Sequence, residues 1–211
     1  MVAARKADHP LQRYGSARAL AFATLHNLHH PAGHDQESPE QAFRNAAILM
    51  RETCCEAVSL ERGREMAETV RYLVNRGVPV MGHIGLTPQS VHAFGGYRVQ
   101  GKGAESAAML QRDAAAIADA GAFAIVLEKV TKAIADTITK EVKVPTIGIG
   151  ASDLCDGQIL VVDDLLGLFG EFRPKFVKRY AELANAASTA VGDYAREVQS
   201  RQFPSEKYLF S

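Results

Sequence analysis

From Glu56 to Val162 the chain repeats one unit: a short apolar run, then residues at helical spacing, then another short apolar run. The apolar runs are "EAVSLE", "VPVMGH", "FAIVLE", "VPTIGIG" and "QILVV", the last running into Asp163 and Asp164. Between them lie "REMAETVRYLVNRG", "GAESAAMLQRDAAAIADAG" and "TKAIADTITKEV", whose apolar residues recur every three or four positions. Gly77 and Gly121 stop the first two of these helices. A further helix precedes them. In "SPEQAFRNAAILMRE", Ser38 is an N-cap, Pro39 takes the first helical position and Gln41 completes a capping box. Short apolar strands joined by helices predict a parallel sheet covered on both faces, because parallel neighbours need crossovers of a dozen or more residues.

Three of the five strands end on an ionisable residue: Glu61, His83 and Glu128. A strand buried on both faces can carry a charge only at its mouth, where solvent or a ligand can pair it. In (β/α)8 barrels the C-terminal strand ends hold the catalytic groups. One such residue is most simply a cap for a neighbouring helix; three in succession predict a site.

The stretch "GLTPQSVHAFGGYRVQGKG" after His83 is long for a connection in a compact domain, which marks it as functional. Gly95, Gly96 and Gly101 give its backbone freedom for close approach or closure. Tyr97 and Arg98 stand where they could touch a ligand or a neighbouring subunit. "GIGAS" looks like a phosphate-cradling loop, but that motif alone is weak, and a wall of the site is the simpler reading.

Residues 1–37 differ from the rest. They show no clean strand, and His26, His29, His30 and His34 carry no interleaved acid or thiol, so a metal cluster there is set aside. Residues 1–37 are thus an atypical N-terminal segment, and residues 38–211 a barrel domain whose end, from Lys175 to about Ser200, reads as helices. The 211 residues carry a net charge of +0, which gives no footprint for nucleic acid. No apolar run is long enough for a bilayer, and "MVAARKADHP" is not a secretory signal. Cys54, Cys55 and Cys155 form no disulfide framework. The first two are small residues at a helix end, and a reducing cytoplasm fits.

"GHIGLTPQSVHAFGGYRVQGKG", "VLEKV", "VPTIGIGASDLCDGQILVVDDLLGL", "PKFVKRYA" and the tail "FPSEKYLF" together resemble the ketopantoate hydroxymethyltransferase family. The resemblance runs from about Ser38 to the C-terminus. It implies a (β/α)8 TIM barrel of the phosphoenolpyruvate/pyruvate type. The five strands match the fourth to eighth of that barrel, and "MVAARKADHP" is at best a remnant of the third. The chain therefore reads as N-terminally truncated or altered, its barrel incomplete.

The resemblance further implies transfer of a hydroxymethyl group from 5,10-methylenetetrahydrofolate to 3-methyl-2-oxobutanoate, giving 2-dehydropantoate for pantothenate biosynthesis, with Mg²⁺ and a homo-oligomeric assembly. A related carbon–carbon lyase of the same superfamily is the second reading, and "GHIGLTPQSV" speaks against it. A non-catalytic relic or assembly partner is the third.

Residue by residue, Glu128 matches the family's catalytic glutamate, the general base. Glu61 matches its acidic residue at the metal. His83 falls beside the ketoacid. Two aspartates complete the family's metal site. The first has no counterpart, and Asp8 in "ADHP" resembles the second. Ser59 stands where the family has a lysine that supports the substrate's acidic end, and Arg62-Gly63 where it has two glycines. Losing the lysine removes a positive charge, so binding of an anionic ketoacid should weaken, unless Arg62 restores charge nearby.

Overall fold

The computed structural model describes residues 2–4, 22–24, 37–88, 96–169 and 173–210. Two compact units divide the chain, Met1–Ile159 and Leu160–Ser211.

The first unit is built on one seven-stranded sheet: β1 (Val2–Ala4), β2 (Phe22–Thr24), β3 (Ala57–Glu61), β4 (Val80–Gly85), β5 (Ala124–Glu128), β6 (Thr146–Ile149) and β7 (Gly157–Ile159). Their spatial order is β1-β7-β6-β5-β4-β3-β2, so the sheet is open between β1 and β2 among the described residues. Strands β2 to β7 pair in parallel, and β1 runs antiparallel to β7. The parallel succession is what short apolar strands with helical crossovers require.

The helices are α1 (Pro39–Thr53), α2 (Ala67–Val74), α3 (Ala104–Asp119) and α4 (Lys132–Glu141). Ser38 caps α1, its hydroxyl accepting from Gln41 N at 3.1 Å. Gln41 reaches back to the residue before the cap, accepting from Glu37 N at 3.3 Å and donating to Glu37 Oε2 at 2.6 Å. Gly77 and Gly121 take φ of 83° and 102°, the left-handed turn that ends a helix and that a side chain resists. Cys54 caps α1 at its C-terminus with φ 55°, exposed, while Cys55 is buried.

Alternation along the strands divides the sheet into two faces. Val58, Leu60, Val80, Ile84, Ile125 and Leu127 join Leu73, Leu110, Ile117 and Ile138 from the helices in one hydrophobic core. Their neighbours in sequence point the other way, as the two-residue period demands.

Four expectations need correction. Residues 1–37 contain two strands, each only three residues long, too short for an alternating pattern to show. The place beside β3 belongs to Phe22–Thr24, whereas Val2–Ala4 of "MVAARKADHP" pairs with β7 at the far edge. The strand read in "QILVV" ends at Ile159, and Asp163 and Asp164 lie in the first turn of helix α5 (Val162–Leu166), where acids favour the helix dipole. Helix α2 begins only at Ala67, after a 3₁₀ turn at Arg64–Met66.

The second unit holds α5, α6 (Leu183–Gln199) and a 3₁₀ turn at Glu206–Tyr208. Helix is confined to Leu183–Gln199 within the stretch read as helical from Lys175. Gly167 ends α5 at φ 63°, and Ala184 N donates to its carbonyl at 3.1 Å. The Phe203 ring packs against Tyr194 and Tyr208, with centroids 5.5 and 5.4 Å apart. Among the described residues no helix is long and apolar enough to cross a membrane.

Candidate active site

The register of the sheet decides which side chains meet. Glu61 pairs with His83, His83 with Val126, and Glu128 with Ile149. Paired residues of parallel strands point to the same face. The face opposite the helix-packed core therefore carries Ser59 and Glu61 from β3, Met81 and His83 from β4, Val126 and Glu128 from β5, and Ile147 and Ile149 from β6. The ionisable groups stand at the C-terminal ends of the strands, with Met81, Val126 and Ile147 as an apolar layer behind them.

Two carboxylates converge on one imidazole. His83 Nε2 lies 3.1 Å from Glu128 Oε2, a hydrogen bond, and Nδ1 lies 3.9 Å from Glu61 Oε1. In the tautomer with its hydrogen on Nε2, His83 donates to the Glu128 carboxyl oxygen. The Glu61 side chain is 2% exposed, those of His83 and Glu128 12% and 15%. Glu61 is thus sunk in the wall, while the His83–Glu128 pair faces the opening. Ser59 is buried two residues before Glu61 on the same face.

Backbone detail fixes these ends. Leu86 N donates to Glu128 O at 2.8 Å, and a side chain at Gly85 would place its Cβ 2.3 Å from that oxygen. Gly85 has φ 95°, so both room and conformation require glycine there. Lys129 follows Glu128 in the left-handed region, at φ 48°. Its carbonyl accepts from Gln100 N at 2.8 Å, and its Nζ lies 5.3 Å from the centre of the exposed Tyr97 ring. The returning end of the long loop is thus tied to the chain beside Glu128. Gly95 falls outside the described residues.

A cavity of about 300 Å³ lies between the turn after β3, the end of β4 and α3, with Arg62, Arg64, Ile84, Leu110 and Asp113 on its wall. Ile84 and Leu110 belong to the helix-side core, so the cavity that Arg62 helps to line lies on the opposite side of the sheet from Ser59. Asp113 is buried, and burial raises its carboxyl above the ordinary carboxylate range, opposed by the hydrogen bond from Arg64 N and raised further by nearby Glu65.

Other sequence candidates resolve differently. Asp8 and the four N-terminal histidines lie outside the described residues. Ser152 of "GIGAS" is buried and bonded to Asp136 and Lys132 of α4, so that loop is accounted for by its own packing. The Ser152 hydroxyl, and after it Lys132, pulls Asp136 below the usual carboxylate range, and the bonds from Lys132 to Asp153 and Asp136 lift the Lys132 amine.

Among the described residues no three His, Cys, Asp or Glu side chains group as ligands for a metal ion. Mg²⁺ is commonly held by one or two carboxylates, with water and substrate oxygens filling the other positions. Glu61, a buried oxygen donor at the mouth, fits that mode of binding.

Comparison with known proteins decides the family. The model of the ketopantoate hydroxymethyltransferase family matches residues 15–206. The chain belongs to the ketopantoate hydroxymethyltransferase family. The α/β barrel expected of that family accords with the β/α succession, here as an open sheet. A 3-methyl-2-oxobutanoate hydroxymethyltransferase of Chelativorans sp. (strain BNC1) is 58% identical over 199 residues, covering 94% of this chain and 69% of that protein. That of Paracoccus denitrificans is 63% identical over 180 residues, covering 85% and 65%. That of Ruegeria sp. (strain TM1040) is 61% identical over 181 residues, covering 86% and 64%. The chain spans about two thirds of the length of these relatives, from 64% to 69%.

Proposed function

We propose that this chain transfers a hydroxymethyl group from 5,10-methylenetetrahydrofolate to 3-methyl-2-oxobutanoate, giving 2-dehydropantoate for pantothenate biosynthesis. The observation that carries the reading is the convergence of Glu61, His83 and Glu128 at three successive strand ends, with Glu128 bonded to His83 at 3.1 Å.

The chemical problem is carbon acidity. The C3–H of the ketoacid, beside its ketone, is too weak an acid to ionise usefully at neutral pH. A carboxylate held within reach can take that proton. Glu128 is the base: His83 Nε2–H fixes its Oε2, leaving Oε1 to meet the C3 hydrogen. As the C–H bond breaks, its electron pair moves into the C2–C3 bond and negative charge develops on the ketone oxygen. Water adds to the one-carbon unit of the donor and its C–N bonds break, releasing tetrahydrofolate and formaldehyde. C3 then bonds to the formaldehyde carbon as the C=O pair moves to oxygen, and that oxygen takes the proton from Glu128 to become the hydroxyl. The apolar layer of Met81, Val126 and Ile147 keeps the floor of the site dry, which strengthens every charge interaction above it.

Glu61 would hold Mg²⁺, with Asp8 as the second aspartate that the family pattern suggests. The bound ion would supply a Lewis acid for the ketoacid's carboxylate and ketone oxygens. Ser59, on the same face as Glu61, lies beside the substrate's acidic end and holds it less strongly than lysine would. Further parts of the reading are a homo-oligomer in the cytoplasm and small-molecule partners only.

The test is ketopantoate formation from 3-methyl-2-oxobutanoate, methylenetetrahydrofolate and Mg²⁺ by the purified chain. Product that disappears when any one component is omitted is the expected result. A folded protein that binds the ketoacid yet forms no product would favour the non-catalytic relic.

A further inference from the structure

Asp113 is an acidic residue on the buried stripe of α3. Leu110, Asp113, Ala114 and Ile117 form that stripe, and Asp113 is 8% exposed. Its Oδ1 accepts from Arg64 N at 3.2 Å, across 49 residues of sequence. The contact is close: a Cβ built on Gly63 would fall 2.2 Å from Asp113 Cγ, so no side chain fits at 63 while the carboxyl is in place. The turn that Asp113 touches begins immediately after Glu61. It bends through Arg62 at φ 83°, outside the range that a side chain favours, and continues into the 3₁₀ turn at Arg64–Met66.

Arg62, Gly63 and Arg64 line the cavity of about 300 Å³ beside α3, while Gly63 and Met66 of the same turn are buried. Hydrogen bonds tie the turn to its neighbours: Arg62 N to His83 O at 3.1 Å, Met66 N to Gly63 O at 2.9 Å, and Arg64 N to Asp113. The first ties the turn to β4 and the last ties it to α3. A buried acceptor aimed at a strained turn sets where the preceding residue ends, and that residue is Glu61.

We infer that Asp113 is a positioning residue: by clamping the turn at residues 62–65 it fixes the Glu61 carboxylate against His83 for the reaction. The catalytic consequence rests on the proposed function; the clamp stands on the geometry. Misplacement by about 1 Å at such a group can cost on the order of a hundredfold in rate. The charged groups that face Asp113 are Arg62, Arg64 and Glu65 from the turn and Arg112 from its own helix. Burial raises the Asp113 carboxyl, so its titration falls above the range of exposed carboxylates and can be followed apart from them.

Two measurements test it. In the first, C3 deuterium exchange of 3-methyl-2-oxobutanoate is compared for the unmodified chain, Asp113→Leu and Asp113→Asn. Leucine keeps the volume without an acceptor, and asparagine keeps the Oδ1 acceptor. Asp113→Leu is expected to lower kcat about tenfold or more with KM changed less than about twofold, and Asp113→Asn to recover most of the loss. A folded Asp113→Leu protein with unchanged kcat, or asparagine no better than leucine, overturns the inference.

In the second, the Arg64 backbone amide is followed by NMR against pH in protein labelled at arginine. Its resonance should move with a midpoint above the usual carboxylate range and stay flat in Asp113→Asn. The same movement persisting in Asp113→Asn, or none in the unmodified protein, overturns the clamp. Absence of exchange in the unmodified protein counts against the proposed reaction instead, and the amide titration then decides the clamp alone.

Discussion

Arg62 shows at the residue scale how a departure from a family pattern acquires a physical meaning. The resemblance puts two glycines where this chain has Arg62-Gly63, and Arg62 sits at φ 83°. A left-handed conformation costs a residue with a side chain roughly 1–2 kcal/mol. Arg62→Gly should therefore be more stable than Arg62→Ala by about 1 kcal/mol, read from urea midpoints, since both lose the guanidinium and only one relieves the strain. Equal midpoints would mean that the turn relaxes without cost. Ser59 is the other departure, buried on the reactive face. Restoring the cation by Ser59→Lys should tighten ketoacid binding by roughly 1.5–3 kcal/mol, the net worth of a hydrogen bond to a charged group. Calorimetry would check this, and unchanged affinity would show that another group already holds the substrate's carboxylate.

At the scale of elements, α3 packs closely on β4. Gly82 faces the helix side, and a Cβ there would lie 2.4 Å from Ile117 Cγ2. Gly82→Ala should destabilise the fold by about 1–3 kcal/mol, as overpacking does, with a lowered urea midpoint as the readout. This layer was readable in advance. The helical spacing of "AAMLQRDAAAIADAG" and the apolar strands gave both partners, and the strand ends gave Glu61, His83 and Glu128 together. Asp113 escaped, because helical periodicity does not say what a single acid on that helix meets 49 residues away. Strands β1 and β2 escaped because three residues cannot show an alternation. Gly85 and the left-handed Lys129 escaped because close backbone approach is a property of the packed sheet. The run "QILVV" leads into Asp163 and Asp164, and an apolar run followed by acids suits the first turn of a helix as well as a strand.

For the whole molecule, Asp113 links stability to pH. Its folded-state pKa is raised, so the folded chain holds that proton more tightly than the unfolded one. The stability this contributes is fully present below the unfolded carboxylate pKa of about 3.9 and is lost as pH rises through the folded value. Asp113→Asn cannot lose it. Relative to the unmodified chain, that variant should gain stability toward about pH 7 and lose its advantage toward about pH 4, followed by urea unfolding across that range. A difference that does not change with pH would contradict the raised pKa. On the proposed function, the sheet delivers a general base, Glu128, to the mouth where His83 orients it. Deuterium exchange at C3 of 3-methyl-2-oxobutanoate isolates proton removal, because it needs no folate. The unmodified chain should exchange in the presence of Mg²⁺, and Glu128→Gln should abolish the exchange while leaving the fold intact. Exchange by Glu128→Gln near the unmodified rate would remove Glu128 from that role.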